Sequence, residues 1–306
     1  MLKKIMKKKV SHMPLYHGTH GHMLKAKKQI IEDLKLVDVV LEILDSRIPK
    51  SSQNPDFKNI IKQKKQIVLL NKSDLADNKE TEKWKSYFDR NNIPALIIDA
   101  NLGTGVKNII NKIETVLEED LQKALNKGIK KKSIRVMIIG IPNVGKSSLI
   151  NRLTNRKSQQ VGNKPGVTKQ KQWVRISNDI ELLDTPGVLW PKFEDNKTAM
   201  HLSYIGAIKD ELIPKEDVAY QLLKYLWENY QKNVIERYNL TNEDISIIMN
   251  KSENYEEDKI IALMELIASK RGAIISGGRV DYEKVANLLL IDFRTAKLGK
   301  ITLEKV

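Results

Sequence analysis

The chain has 306 residues, a formal net charge of +15 and no cysteine. Its length allows one large domain or two, and the lack of cysteine excludes disulfides, thiolate metal sites and cysteine nucleophiles. The positive charge favours a polyanionic partner such as nucleic acid. No run approaches the roughly 18 apolar residues that a membrane span requires, so we expect a cytoplasmic protein without a membrane partner.

The positive charge is concentrated near the N-terminus. Residues 1–28 contain eight lysines and neither aspartate nor glutamate. Two interpretations fit such a run, an arm that contacts nucleic acid or a merely solvated tail. We define residues 1–20 as the basic N-terminal arm.

Strand and helix patterns alternate through the first half of the chain. After a helical stretch that ends near Leu36, apolar runs at 37–44, 66–70 and 95–98 alternate with helical patterns at about 55–64, 79–91 and 106–126. This alternation predicts an α/β fold with a parallel, doubly wound sheet. In such a sheet the ligand binds beyond the carboxyl ends of the strands, where a polar loop follows each run.

A phosphate-binding motif follows in the middle of the chain. Residues 140–148 read GIPNVGKSS and match GxxxxGKS, between an apolar run at 134–139 and a helix-compatible segment at 149–153. Backbone N–H groups of such a loop converge on phosphate oxygens at a helix N-terminus. The context predicts a nucleoside triphosphate site, with a plain strand-to-helix turn as the alternative. Its predicted binding residues are Asn143, Val144, Gly145, Lys146, Ser147 and Ser148.

Metal-binding and catalytic residues are expected next to this loop. Lys146 would reach the β- and γ-phosphates, and the Ser147 hydroxyl would bind Mg²⁺. In the segment Asp184-Thr-Pro-Gly187, which fits DxxG, Asp184 would hold Mg²⁺ through water and the Gly187 N–H would meet the γ-phosphate. Thr168 is the predicted second hydroxyl ligand of Mg²⁺, and a surface-loop threonine is the alternative.

The loop after the second strand predicts guanine recognition. Asn71, Lys72, Ser73 and Asp74 fit NKxD. The Asp74 carboxylate can accept hydrogen bonds from guanine N1–H and the exocyclic amine, the Lys72 stem can cover the ring, and Asn71 can support the loop. Adenine lacks this pair of donors, so a site built around Asp74 would reject it.

The loop after the next strand completes the predicted base site. It begins with Asp99 and Ala100, and the Ala100 backbone N–H could donate to guanine O6. The sequence of this loop differs from the usual Ser-Ala-Lys. The guanine loop here precedes the phosphate loop, which is the reverse of the order in most GTPases. A circular permutation explains this order, and it is tolerated where the original termini lie close together.

The pattern changes after the DxxG segment. Two short strand patterns, 172–176 and 180–183, precede it, and only helical patterns follow from about 197, at 215–238, 242–250, 256–270 and 281–297. We therefore predict a circularly permuted P-loop GTPase domain at 21–195 and an all-helical domain at 205–306. Because Gly187 would sense the γ-phosphate, the nucleotide state could move the helical domain through the short connection between them.

The combination of these motifs resembles the circularly permuted GTPases of the YlqF/RbgA family, the ribosome biogenesis GTPase A group. The resemblance covers nearly the whole chain after about residue 12. Besides the motifs above, it depends on GHMLKA at 21–26, DSRIP at 45–49 with NP at 54–55, PGVTK at 165–169, KRGA at 270–273 and SGGRVDY at 276–282.

The resemblance also implies roles for individual residues. Val188 stands where many GTPases have a glutamine that positions water, and it cannot orient a nucleophile. His22 looks like the family's proposed catalytic histidine, with a helix-start or RNA-contacting residue as the alternative. Asn143 looks like the asparagine that helps hold K⁺ in potassium-dependent GTPases.

Family membership implies an assembly factor that binds the large ribosomal subunit precursor and uses GTP, GDP and Mg²⁺. The expected cycle is docking in the GTP state and release after RNA-stimulated hydrolysis, and the alternative is an RNA-binding scaffold in which GTP only times binding. The helical domain is expected to contact ribosomal RNA, and no DNA partner is expected. Basic residues that could form its RNA-binding face are Arg271, Arg279, Lys284, Arg294, Lys297 and Lys300.

Overall fold

The computed structural model describes residues 20–128, 133–154, 173–190, 195–250 and 256–306. The predicted basic arm, apart from His20, and the predicted metal ligand Thr168 lie outside these ranges. Within them, contacts group the chain into two compact units, one formed by residues 20–190 with Thr302–Val306 and the other by the described residues of 195–301.

A six-stranded sheet forms the centre of the first unit. Its strand order is β3-β2-β1-β4-β6-β5, and only β5 runs antiparallel to its neighbour. This confirms the predicted α/β fold, while the antiparallel edge strand was not predicted. The strands are β1 (Val39–Asp45), β2 (Lys65–Asn71), β3 (Ala95–Ile97), β4 (Ile134–Ile139), β5 (Trp173–Arg175) and β6 (Ile180–Asp184).

Helices cover the sheet. They are α1 (His20–Leu34), α2 (Pro55–Ile60), α3 (Asn78–Arg90), α4 (Asn108–Asn126) and α5 (Lys146–Leu153). Ile30 of α1 and Phe57 of α2 belong to one apolar cluster with β1 and β4, and Trp84 of α3 belongs to another with β1 and β2. Every residue of β1 is buried, which explains why its sequence is nearly continuously apolar.

The second unit is mainly helical. It contains α6 (Asn196–Tyr204), a short 3₁₀ helix (Asp210–Leu212), α7 (Lys215–Asn229), α8 (Gln231–Tyr238), α9 (Asn242–Asn250), α10 (Glu256–Lys270) and α11 (Tyr282–Arg294). The predicted helix 215–238 is two helices, because Tyr230 has the non-helical angles φ −138° and ψ 37°.

A small hairpin interrupts the helices of this unit. Strands β7 (Ile274–Ile275) and β8 (Arg279–Val280) pair antiparallel around the turn at Gly277 and Gly278, both with positive φ. The prediction of helices alone missed these two short strands. Val285, Leu289 and Phe293 of α11 are buried, as their helical spacing predicts.

The last residues of the chain return to the sheet unit. Leu303 N–H donates to the carbonyl of Arg47, and the Trp84 indole N–H donates to the carbonyl of Glu304 at 2.9 Å. The predicted helical domain, 205–306, therefore includes five residues that pack with the sheet. Among the described residues, no helix has the length and apolar character to cross a bilayer.

Candidate functional site

The phosphate loop connects β4 to α5. Gly145 has φ 100°, and a side chain at this position would also collide with the Asn71 amide, so the position requires glycine. Asn143 likewise has a left-handed backbone, with φ 61°. Helix α5 begins at Lys146, directly after this loop. The free N–H groups of its first turn, together with the loop amides, form a site suited to phosphate oxygens.

Lys146 and the DxxG segment meet at this loop. The Lys146 ammonium lies 3.4 Å from the Gly140 carbonyl and 3.5 Å from that of Ile141. A Cβ atom on Gly187 would be 2.7 Å from the same ammonium. Burial lowers the pKa of Lys146 to about 8, and the Asp184 charge partly opposes this shift. A partly desolvated ammonium next to the Gly187 backbone is well placed to bind an anionic oxygen.

The predicted guanine loop is hydrogen-bonded to the phosphate loop. Asn71 Nδ2 donates to the Val144 carbonyl at 2.7 Å, and Lys72 Nζ donates to the Asn143 carbonyl at 2.6 Å. Asn71 Oδ1 accepts from the Ala100 N–H at 2.9 Å. One asparagine thus connects three segments that the sequence predicted to surround a nucleotide.

Two carboxylates lie together at the base end. The Asp99 Oδ1 atom accepts from the N–H groups of Asn101 and Leu102, and its Oδ2 atom is buried without a donor among the described residues. Burial and the neighbouring Asp99 charge raise the pKa of Asp74. Arg152 of α5 donates to the carbonyls of Ala100 and Asn101. The sequence alone did not single out Arg152. Its position after the phosphate loop is the one signal that could have identified it.

The described magnesium candidates lie beside the phosphate loop and Lys146. Ser147 is in the first turn of α5, and Asp184 ends β6, whose neighbour Thr185 donates to the Ile138 carbonyl at 2.5 Å. Hydroxyl and carboxylate oxygens are the ligands that Mg²⁺ prefers, so both residues fit the ion. The third predicted ligand, Thr168, lies outside the described residues.

The candidates for positioning water remain predictions. His22 belongs to α1, but the structure does not describe its side chain. Val188 is buried, and its carbonyl accepts a hydrogen bond of 3.1 Å from Asn54 Nδ2. The apolar side chain that follows DxxG therefore cannot position water, and the group that does so stays a prediction.

The six predicted RNA-contacting residues differ in their surroundings. Arg279, Lys297 and Lys300 are exposed, as are Arg271 and Lys284, which donate to the carbonyls of Arg237 and Gly272. Arg294 differs, because its guanidinium pairs with both Asp210 oxygens at 2.8 Å and also donates to the carbonyls of Ser203 and Tyr204. These contacts give Arg294 a structural role, and its RNA contact stays a prediction.

Comparison with known proteins finds relatives named as ribosome biogenesis GTPases. A family model described as 50S ribosome-binding GTPase matches residues 135–251. Ribosome biogenesis GTPase A of Priestia megaterium is 45% identical over 93% of this chain and 94% of its own length. The protein of the same name from Thermotoga maritima is 31% identical over 93% and 92% of the two chains.

Solved structures agree with the sequence relatives. The GDP-bound structure of TM YlqF aligns with a TM-score of 0.62 and 25% identity, over 90% of this chain and 98% of the other. The GNP-bound YlqF from T. maritima aligns with a TM-score of 0.58 at the same identity, over 92% and 98%. Together with the permuted order of the guanine and phosphate loops, these similarities show that the chain belongs to the ribosome biogenesis GTPase A (YlqF) family of circularly permuted GTPases.

Proposed function

We propose that this GTPase binds GTP and GDP with Mg²⁺ and acts as an assembly factor for the large ribosomal subunit. In this proposal it docks on the subunit precursor in the GTP state and is released when ribosomal RNA stimulates hydrolysis. The observation that carries the nucleotide assignment is the pair of hydrogen bonds from Asn71 and Lys72 to the phosphate-loop carbonyls. They connect the base-reading loop with the loop suited to phosphates.

The chemistry of the site supports the choice of guanine. The proposed acceptor is Asp74, and the proposed donor to guanine O6 is the Ala100 N–H, which Asn71 places by its own hydrogen bond. A carboxylate that the bound base shields from water would be left without hydrogen bonds beside adenine, which lacks the matching donors, so adenine is disfavoured.

Binding measurements test the nucleotide assignment. Purified protein titrated with labelled GTP and ATP should bind GTP and show little affinity for ATP. The variant Asp74→Asn should lose affinity for GTP and gain affinity for XTP, because the asparagine amide can donate to the xanthine carbonyl at position 2. Equal binding of GTP and ATP by the unmodified protein would contradict guanine recognition.

The proposed ribosomal role is tested by turnover. We expect slow intrinsic hydrolysis, because Val188 is apolar and buried, and faster hydrolysis when large-subunit precursor particles are added. Replacing Na⁺ with K⁺ tests the proposed role of Asn143, and His22→Ala tests the proposed catalytic histidine. Stimulated turnover that His22→Ala leaves unchanged, with particle binding intact, would exclude that role.

The scaffold alternative makes a different prediction. If GTP only times binding, a variant that binds GTP but cannot hydrolyse it should still support maturation of the particles and dissociate from them normally. If hydrolysis drives release, the same variant should remain bound to particles. Sedimentation of particles from cells that carry the variant separates the two outcomes.

A further inference from the structure

Strand β1 ends in a buried carboxylate, Asp45, beside the guanine loop. Its side chain has no exposed surface. The Oδ2 atom lies 2.7 Å from Arg47 Nη2 and 3.1 Å from Lys72 Nζ. Neither the phosphate-loop motif nor the guanine-loop motif contains this residue, yet it contacts the lysine that is proposed to cover the base.

Asp45 is held in place on its other side. The Oδ1 atom accepts from the Arg47 Nε at 2.9 Å and from the Arg47 backbone N–H at 3.1 Å. Burial alone would raise the pKa of Asp45, but the charges of Arg47 and Lys72 and the hydrogen bonds from Arg47 hold it well below its usual range. Asp45 is therefore an ionised group with a fixed orientation at the end of a buried strand.

The Lys72 ammonium is bound at two points. It donates to the Asn143 carbonyl at 2.6 Å and pairs with Asp45 at 3.1 Å. Its backbone has φ 59°, so the start of the side chain is also set by an uncommon conformation. A free lysine side chain loses rotamer entropy when it is ordered. Ordering it before the nucleotide arrives removes this cost from the binding step.

We propose that Asp45 is a positioning residue for nucleotide recognition, which holds the Lys72 ammonium so that the lysine stem lies over the face of the base. The inference rests on the proposed function and adds to it a residue outside the binding motifs. Since the stem contacts the ring face, Asp45 contributes equally to any purine with the same face, whereas Asp74 reads the edge of the base.

A double-mutant cycle on GDP binding tests this role. Asp45→Asn keeps the shape of the side chain and removes its charge, so we expect the Kd of GDP to rise about tenfold, the size typical of one lost hydrogen bond to a charged group. In a Lys72→Met background the same substitution should change the Kd less than about twofold, because the group through which it acts is gone. Equal effects in the two backgrounds would overturn the proposal.

A second nucleotide separates the face of the base from its edge. IDP has the purine ring of GDP without the exocyclic amine that Asp74 is proposed to bind. Asp45→Asn should weaken GDP and IDP binding by the same factor and leave their ratio unchanged. A changed ratio would place the effect at the Asp74 edge and contradict the positioning role.

Matched controls exclude a general loss of structure. Asp38, just before β1 at the far end of the strand, accepts from the Arg135 N–H at 2.8 Å, so Asp38→Asn makes the same chemical change away from the site and should leave the Kd of GDP unchanged. If Asp45→Asn does not fold because Arg47 loses its partner, Asp45→Asn with Arg47→Gln removes both charges and should show the same rise in Kd. Unmodified protein that binds neither GDP nor IDP would contradict the proposed function itself. If Asp45→Asn and Asp45→Asn with Arg47→Gln both bind GDP as tightly as the unmodified protein, only the positioning role is contradicted.

Discussion

At the residue scale, the base end of the site contains more negative charge than guanine recognition requires. The Asp99 carboxylate raises the pKa of Asp74, with burial as the larger cause. In its proposed role, Asp74 must be ionised to accept both hydrogen bonds from guanine. As pH falls, GTP affinity should therefore be lost at a higher pH than an ordinary aspartate would give.

The variant Asp99→Asn tests this coupling. It keeps an oxygen for the N–H groups of Asn101 and Leu102 but removes the charge that acts on Asp74. We expect the pH at which GTP affinity is half lost to move down, which fluorescence titration of GTP between about pH 7 and pH 4.5 would measure. A midpoint that stays in place, with circular dichroism unchanged over the same range, would show that Asp99 does not set the pKa of Asp74.

The motifs predicted that the guanine and phosphate loops lie together, and Asn71 is hydrogen-bonded to the phosphate loop. The meeting of Asn71 with the phosphate loop follows from parallel strands, whose carboxyl ends lie at one edge of the sheet. The Asp45 contact with Lys72 was not predicted, although Asp45 was part of the resemblance. A buried acid after an apolar run does not reveal which of several nearby cations it pairs with.

At the element scale, Asn54 connects helix α2 to the segment after DxxG. Its Oδ1 atom accepts from the Asp56 N–H at 3.0 Å and caps α2, and its Nδ2 atom donates to the Val188 carbonyl. A single side chain thus fixes both the start of a helix and the position of a segment expected to respond to the γ-phosphate.

Two substitutions separate these contacts. Asn54→Ser keeps a capping oxygen but is too short to reach Val188, whereas Asn54→Ala loses both contacts. We expect Asn54→Ala to lower the free energy of unfolding by about 1 kcal/mol more than Asn54→Ser, the usual contribution of a cap. Chemical denaturation gives this difference.

Hydrogen exchange gives the second result for the same pair. Both variants should exchange amides at 185–190 faster than the unmodified protein, since both release the Val188 carbonyl. Unchanged exchange in both would mean that Asn54 does not restrain this segment.

Element boundaries were less predictable than element types. The break between α7 and α8 falls at Tyr230, within a run that has neither proline nor glycine near it. The antiparallel direction of β5 also has no local signature, because a short strand shows the same sequence pattern in a parallel pair as in an antiparallel pair. Tertiary packing decides both features.

At the scale of the whole molecule, the end of the described chain stabilises the sheet unit. Glu304 is buried, and its carboxylate accepts from the N–H of Lys50 at 2.6 Å, from the N–H of Ser51 at 3.1 Å and from the Ser51 hydroxyl. Thr302 Oγ1 accepts from the Asp77 N–H at 3.1 Å, just before α3.

Removing this carboxylate should weaken the unit. Glu304→Ala leaves several buried donors of the Lys50–Ser51 segment without their acceptor, so we expect the free energy of unfolding to fall by about 2 kcal/mol. Tryptophan fluorescence follows the unfolding, and Trp84 contributes to the signal because its indole donates to the Glu304 carbonyl. The neighbouring variant Lys305→Ala, at an exposed position, is the control and should unfold like the unmodified protein. An equal loss in both variants would contradict a specific role for Glu304.

No sequence pattern predicted this contact. Glu304 follows the last helix without periodicity, and its partner Ser51 lies 253 residues earlier in the chain. The P-loop GTPase architecture and the position of its site were predictable from motifs and alternation. Contacts of this range depend on the complete fold.

The distance in sequence between Ser51 and Glu304 also sets the order in which these two residues are synthesised. Ser51 leaves the translating ribosome long before Glu304 is made, with the whole helical unit translated in between. The segment after Asp45 therefore lacks its Glu304 acceptor until residues 52–303 have been translated. A newly made copy therefore completes the hydrogen bonds from the N–H groups of Lys50 and Ser51 only after the six described strands of the sheet have been translated.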